Sequence, residues 1–417
     1  MDVTMLIPFG LFTAWRKGDG SDASTVHKFY TRGVWRDRSP GARVLLLVRI
    51  LFLWPLSTAV MTALGIAMNG AAARRRFGKP LWRQIAEQLH LAVRHSVPPP
   101  WYYVFGLWDD ARRSKAPLYI LRYETKGAIY RALRRVFDGS AKALRSKLGF
   151  DEICREHGLP VPSLVMLLSN GVVNRGKLPL PEADLFVKPV KARGGTGAER
   201  WEWRGDGRYR SHTGEVCTES QLVEQLAQRS HEKPLLVQRR VVNHPEITDL
   251  TTGALATARL MTALNEDEVP EVVWAVFRMG LDPSSPVDNY HAGGLVTGID
   301  LETGALSQAS AGGSPGMPRV AGFVRCDEHP RTGARIQGRK LPFWPEAMDL
   351  ARSAHAAFPR VAVVGWDIAL APDGPVLIEG NSAPDVDLMQ VGHQAPIGDT
   401  RFAAVLAHHL RRMSAKA

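Results

Sequence analysis

The stretch VVGWDIALAPDGPVLIEGNSAPDVDLMQ, Val363–Gln390, sets two apolar runs side by side and ends them in acidic and amide side chains. Val361–Leu370 and Pro375–Ile378 read as two strands rich in Val and Ile, joined by a turn at Pro372-Asp373-Gly374. Asp367 falls inside the first run. Glu379 and Asn381 stand two residues apart at the end of the second, so the alternation of strand side chains points them to the same side. Three oxygen-bearing side chains are expected to converge at one end of a hairpin with a buried face.

An acid in the middle of an apolar strand needs a physical reason. Taking a lone carboxylate out of water is costly, so Asp367 is expected to have a cation or a donor beside it. Magnesium takes oxygen ligands and often only one or two carboxylates, with nucleotide phosphates and water completing its octahedron. Asp367, Glu379 and Asn381 meet that requirement as a metal-binding set. The plainer alternative is a hairpin whose acids are solvated turn residues.

A chain of 417 residues allows two or three domains. With 53 Lys+Arg against 41 Asp+Glu, the net charge of +12 suits an anionic partner: a nucleotide, a phosphorylated lipid, a membrane surface or a nucleic acid. No zinc-finger or RNP-type pattern is visible, and aromatic residues do not interleave with a basic stripe, so no nucleic-acid partner is expected. Cys154, Cys217 and Cys326 form no C-x-x-C pair, which argues against a structural zinc site or a disulfide framework and fits a reducing, cytoplasmic compartment. The beginning Met-Asp lacks the positive segment of a secretory signal, so export is not expected.

Residues 1–80 form a basic N-terminal segment around the most apolar window, Val44–Met68, interrupted by Arg49 and Pro55. Arginines flank both ends (Arg36, Arg38, Arg43; Arg74–Arg76), so charge gives no orientation for a single span. Three readings stay open: a Pro-broken re-entrant or interfacial helix on the anionic inner face of a membrane, a buried core helix, or a true span. Residues 81–145 show helical spacing and read as a helical N-terminal domain, with Trp101–Phe105 as core.

SKLGFDEICREHG, Ser146–Gly158, reads as a helix that opens with Lys147 and stops at Gly and Pro. DLFVKPV, Asp184–Val190, is a strand carrying Lys188; Gly194, Gly195 and Gly197 follow and would let backbone N–H groups approach a phosphate closely; GGTG alone is more often a plain hairpin turn, but behind Val187-Lys188-Pro189 the phosphate reading is favoured. No G-K-[ST] follows, so this is not a P-loop, and no dinucleotide fingerprint is present. Pro234–Val242 reads as a further strand. Thr257–Leu264 and Val272–Met279 pair naturally as antiparallel strands, each with a lone arginine, Arg259 and Arg278. Fixed guanidiniums stabilise developing anionic oxygens; these two could instead pair with surface acids. Ser382–Gly398 reads as loop with Asp385 and Asp387 near the metal, and Thr400–Met413 as a basic amphipathic helix.

The spacing D-I-A then L-I-E-G-N resembles the metal-binding hairpin of the ATP-grasp ligases, and V-G-W-D-I-A…D-G-P-V-L-I-E-G-N is most similar to the sugar-transfer-associated ATP-grasp family, related to the α-L-glutamate ligases. The resemblance covers Ser146–Gln390. It implies an α+β, ATP-grasp fold: a lid subdomain over residues 146–235 and a C-terminal subdomain with the metal site over 236–417 clamp ATP, behind the mainly helical N-terminal extension. It implies that Lys147, Lys188, Gly194, Gly195 and Gly197 hold the triphosphate, that the backbone from Gln238 to Val241 meets adenine and Glu246 the ribose, and that Asp367, Glu379 and Asn381 hold Mg²⁺. Arg259, Arg278 and Asn289 would act on the transferring group. Arg239 stands where many relatives carry Glu, which puts a side-chain contact with adenine in doubt. The implied activity is a carboxylate–amine ligase working through an acyl phosphate, on small-molecule or glycan-linked acceptors, in surface-polysaccharide or glycolipid synthesis. A kinase acting on a hydroxyl and a non-catalytic, membrane-attached nucleotide-binding scaffold are the alternatives.

Overall fold

The computed structural model describes residues 20–36, 38–137, 139–176, 178–191, 196–283, 293–311 and 325–415. Gly194, Gly195 and Asn289 lie outside the described residues. Between Leu164 and Asn381 the chain forms two seven-stranded antiparallel sheets. The first contains β1 (Leu164–Ser169), β2 (Val172–Gly176), β3 (Leu185–Pro189), β4 (Glu199–Trp203), β5 (Arg208–Ser211), β6 (Val216–Thr218) and β7 (Leu235–Arg239), in the order β2-β1-β7-β3-β4-β5-β6. The second contains β8 (Thr257–Leu264), β9 (Pro270–Met279), β10 (Leu295–Gly298), β11 (Ala309–Ala311), β12 (Arg325–Cys326), β13 (Val363–Ala371) and β14 (Gly374–Asn381), in the order β12-β11-β10-β9-β8-β13-β14.

β8 and β13 are buried at every residue, because both faces of the second sheet are covered. The expected hairpin is therefore an edge strand, β14, laid against a fully interior one. One face packs on the helices Lys147–Glu156 and Trp344–Ala357, with Phe150 stacked on Phe358 at 5.8 Å between ring centroids. The other face shares its core with the N-terminal helices and with the helices Val386–His393 and Arg401–Ala415. The first sheet keeps a smaller core of its own, closed by Leu222 and Leu226 of the helix Glu219–Ser230.

These contacts correct three readings. The division between the sheets falls after Arg239 rather than at 235/236, since β7 pairs with β1 and β3. The helix at Lys147 belongs to the core of the second sheet, not to the lid. Ser382–Gly398 is not mainly loop: Asp385 accepts the Asp387 N–H at 3.0 Å and caps a helix over Val386–His393.

Candidate active site

Asp367 on β13 lies opposite Arg259 on β8 and Glu379 on β14, so one row across three strands reads arginine, aspartate, glutamate. The register slips immediately beyond this row: Ile368 faces Leu377, and Ile378 is the extra residue of a bulge on β14. Bulges of this kind re-aim the side chains beside them. On the sheet face carrying the row, the N-terminal helices cover the half with Met261, Ala263 and Val363. By strand alternation, Arg259, Gly365 and Asp367 occupy the other half.

Asp367 is 3% exposed and has the cationic partners its burial demands. Arg259 grips it with both arms of its fork, Nε to Oδ1 and Nη2 to Oδ2 at 2.7 Å. Arg278 adds Nη2 to Oδ2 at 3.0 Å and is itself steadied by Thr257, whose Oγ1 accepts from Nη2 at 2.6 Å and from Nε at 3.1 Å. Burial alone would raise the Asp367 carboxyl; the charges of Arg259 and Arg278, with the hydrogen bonds from Arg259, reverse that and hold it below the usual carboxylate range. The two arginines thus pair with an interior acid, not with surface ones. Thr257 was missed in the sequence; its signal was its place two residues before Arg259 on the same strand face.

Glu379 is exposed, stands opposite Asp367 in the strand register, and accepts from the Asn381 Nδ2 at 2.9 Å. Lys147 and Lys188 feel the charge of this same carboxylate. Lys147 opens its helix behind Ser146, whose Oγ accepts the Gly149 N–H at 3.1 Å, and its Nζ donates to the Pro189 carbonyl at 2.5 Å, tying the helix to the end of β3. Burial lowers the Lys147 ammonium and Glu379 opposes the shift. Lys188, though part of its surface meets solvent, is pushed down to about 8 by burial and by the charge of Lys147, against Glu379 and Asp151. Four cations, Lys147, Lys188, Arg259 and Arg278, and two acids, Asp367 and Glu379, therefore share one electrostatic environment that suits a polyanion.

The proposed metal set needs a closer look. Among the described residues no three His, Cys, Asp or Glu side chains cluster as metal ligands. The oxygen donors here are two carboxylates and one amide, and Asp367 already accepts three guanidinium hydrogen bonds. A carboxylate offers about four lone-pair sites, so Asp367 retains capacity for one further partner while Glu379 and Asn381 face outward. Oxygen donors of this kind fit Mg²⁺.

Asp385 and Asp387 are not part of that set. Asp385 pairs with Lys126 at 2.8 Å and Arg122 at 3.5 Å, and Asp387 accepts from Trp101 Nε1 at 2.8 Å and the Arg122 N–H at 3.0 Å. Burial and the neighbouring Asp385 charge push Asp387 up to about 8. Both acids fasten the N-terminal helices instead. In the segment between the sheets, the Arg239 and Arg240 N–H groups donate to Ser163 and Asp184 carbonyls, while the Val241 N–H makes no hydrogen bond among the described residues. Gln238 is buried on β7, and its Nε2 reaches the Pro162 carbonyl at 3.5 Å. Glu246 is exposed on the 3₁₀ turn Pro245–Leu250, which His244 caps by accepting the Glu246 N–H at 3.2 Å. Gly197 adopts φ +72° against Pro189, a conformation and a closeness that favour glycine.

The sequence profile described as sugar-transfer associated ATP-grasp matches residues 134–401. The chain belongs to this ATP-grasp family. The family match begins only at 134, so the N-terminal helices form an extension to this ATP-grasp unit, whose second sheet carries the charged row. Among solved structures, the chain resembles an L-amino acid ligase from Bacillus licheniformis at 13% identity, covering 70% of this chain and 54% of that one with a TM-score of 0.37. It resembles D-alanine–D-alanine ligase from Bacillus anthracis complexed with ATP at 10% identity, covering 72% and 79% with a TM-score of 0.34. A carboxyaminoimidazole ribonucleotide synthase from Aspergillus clavatus, complexed with ATP, shares 16% identity over 58% of this chain and 46% of its own, with a TM-score of 0.33. The chain spans about half the length of the first of these structural relatives. No curated protein matches it.

Proposed function

We propose that this ATP-grasp protein is an ATP- and Mg²⁺-dependent ligase that joins a carboxylate to an amine through an acyl phosphate. The observation that carries the reading is the row Arg259–Asp367–Glu379 with Arg278 beside it, whose Glu379 charge acts on Lys147 and Lys188. In this reading the two lysines hold the triphosphate, and Glu379, Asn381 and the remaining lone pair of Asp367 hold Mg²⁺. Mg²⁺, when bound, neutralises phosphate oxygens. Arg259 and Arg278, fixed in orientation by Asp367 and Thr257, face the charge that builds on the transferring phosphoryl group.

A substrate carboxylate oxygen attacks the γ-phosphorus, the bond to the β–γ bridging oxygen breaks, and ADP leaves. The amine nitrogen then attacks the acyl carbon, releases phosphate and a proton, and forms the amide. No side chain serves as nucleophile; placement and fixed charge supply the catalysis. The family's description supports a glycan-linked acceptor and a place in surface-polysaccharide or glycolipid synthesis.

The test is to offer the purified chain ATP·Mg²⁺ with pooled carboxylates and amines, beside Glu379→Ala. Release of ADP and phosphate that requires both substrate classes supports the ligase, and Glu379→Ala should abolish Mg²⁺-dependent turnover with unfolding unchanged, because Glu379 is exposed. A stable phosphorylated hydroxyl product would replace the ligase with a kinase, and full activity in Glu379→Ala would remove Glu379 from the metal set.

A further inference from the structure

The chain does not break at Pro55. One helix runs from Pro40 to Phe77, with π turns at Arg49–Leu53 and Ile66–Gly70, and the first of these lies just before the proline that cannot supply its N–H. Its 38 residues span about 57 Å. After a turn at Gly78-Lys79-Pro80, a second helix, Leu81–His95, folds back along it.

Both helices are inside out. On the long one, the buried positions are Leu46, Trp54, Thr58, Thr62, Gly65, Asn69, Gly70 and Ala73, with spacings of three and four beyond Trp54 that mark one face. Small and polar residues look inward there, and Gly65 lies so close to the Tyr103 ring that a Cβ would stand 3.1 Å from it. The outward face carries Leu51 at 66% exposed and Phe52 at 69%, with Leu56, Val60 and Leu64 continuing it. The second helix shares much of the pattern. It buries Gln84 and Gln88 beside Leu91 and Ala92, Gln84 bonding the Gly70 and Lys79 carbonyls and the Tyr103 hydroxyl, while Trp82 (68%), Ile85, Leu89 and Val93 (57%) form an exposed stripe. A water-facing helix has the opposite arrangement; small and hydrogen-bonding residues at the helix contact with large apolar ones outside is the arrangement of helices in lipid.

The charges say which surface covers this face. From 40 to 95 the chain has eight cations (Arg43, Arg49, Arg74, Arg75, Arg76, Lys79, Arg83, Arg94) and one acid, Glu87. Glu87 is consumed inside the protein by Lys79 at 2.9 Å, Arg113 at 3.1 Å and the Tyr102 hydroxyl at 2.8 Å. A second copy of this chain would bring arginine rims together with no acid between them. An anionic bilayer surface matches both the apolar face and the rim.

We infer that the hairpin Pro40–His95 lies in one leaflet of an anionic membrane, with Trp82, Ile85, Leu89 and Val93 adding a second lipid-facing helix to the first. Spanning is excluded by the body of the protein. The long helix packs sideways on the segment holding Tyr103, and Trp101 two residues earlier is bonded to Asp387 of the ATP-grasp unit. The shorter arm, at about 22 Å, does not cross a hydrocarbon core of about 30 Å.

The experiment floats the full chain with vesicles of phosphatidylcholine alone or mixed with phosphatidylglycerol. The expected result is several-fold greater recovery on anionic vesicles, reduced by salt, and at least a ten-fold loss in Leu89→Glu/Val93→Glu, whose positions are solvent-facing and should leave thermal unfolding in detergent unchanged. An Arg75→Cys label, set against native cysteines that are all buried, should react with an impermeant maleimide in right-side-accessible membranes. Recovery only in the buffer fraction, a stable dimer that does not float, unaltered flotation of the double variant, or labelling only after the membrane is opened would each overturn the inference.

Discussion

Asp367 shows how one buried charge can organise a site. It is held by two arginines: Arg259 by both arms of its fork, and Arg278 jointly with the Thr257 hydroxyl. Asp367→Asn should leave both facing a neutral amide and cost about 3–5 kcal/mol, the usual penalty for breaking a buried ion pair, read as a lower denaturant midpoint with turnover lost. Arg278→Lys should keep the charge but lose the paired contacts with Thr257 and Asp367, lowering turnover while the fold survives. A second buried group reports on pH. His355, fully buried between the Thr262 hydroxyl and the Val361 carbonyl, is held down to about 4 by burial, with the Val361 contact opposing. The unfolded chain takes up this proton near 6.5 and the folded one near 4, so stability is complete above 6.5 and falls as pH drops toward 4, by roughly 3 kcal/mol. Urea titrations at pH 7 and 4.5 should show that loss, and His355→Gln should remove much of it.

At the scale of elements, β13 is the strand on which both cores and the site depend. Gly365 lets it lie close to its neighbours: a Cβ there would stand 2.8 Å from Pro384 Cβ and 3.4 Å from Arg259 Cδ. Gly365→Ala should therefore cost about 1–3 kcal/mol by overpacking and displace Arg259, visible as a lower melting temperature with a larger fall in turnover. The hairpin itself was legible because a β-branched run with one acid in it has few physical explanations, and the period of two fixes which residues share its face. The same logic found β8 and β9 with their arginines. It did not reach the role of Asp385 and Asp387, which the sequence places near the metal in a loop and which instead fasten the N-terminal helices. Trp101 and Arg122, which hold Asp387, lie 286 and 265 residues away, and no local pattern encodes such a pairing.

For the whole molecule, the boundary of the family match and the boundary of the folded core do not coincide. The match begins at 134, yet Trp101, Tyr103, Tyr119 and Tyr123 share one core with Met261, Trp274 and Val276 of the second sheet. A chain beginning at residue 139 should expose that sheet face and be recovered aggregated or molten, with near-ultraviolet circular dichroism lost, whereas the full chain should keep that signal. Apolar composition pointed to an unusual segment at 44–68, but it could not say which face looks outward; that depends on Tyr103 and Gln88, which the long helix meets only through folding.

The outward face of that helix pair also governs how the molecule behaves at the bench. In dilute buffer its Leu, Phe and Trp side chains have no cover among the described residues, so they should adsorb to vessel walls and detergent, and sedimentation or scattering there would report a state set by the detergent supplied. Particle size, shelf life and apparent specific activity should all change when a detergent or lipid disc is supplied, even though no catalytic side chain has been touched.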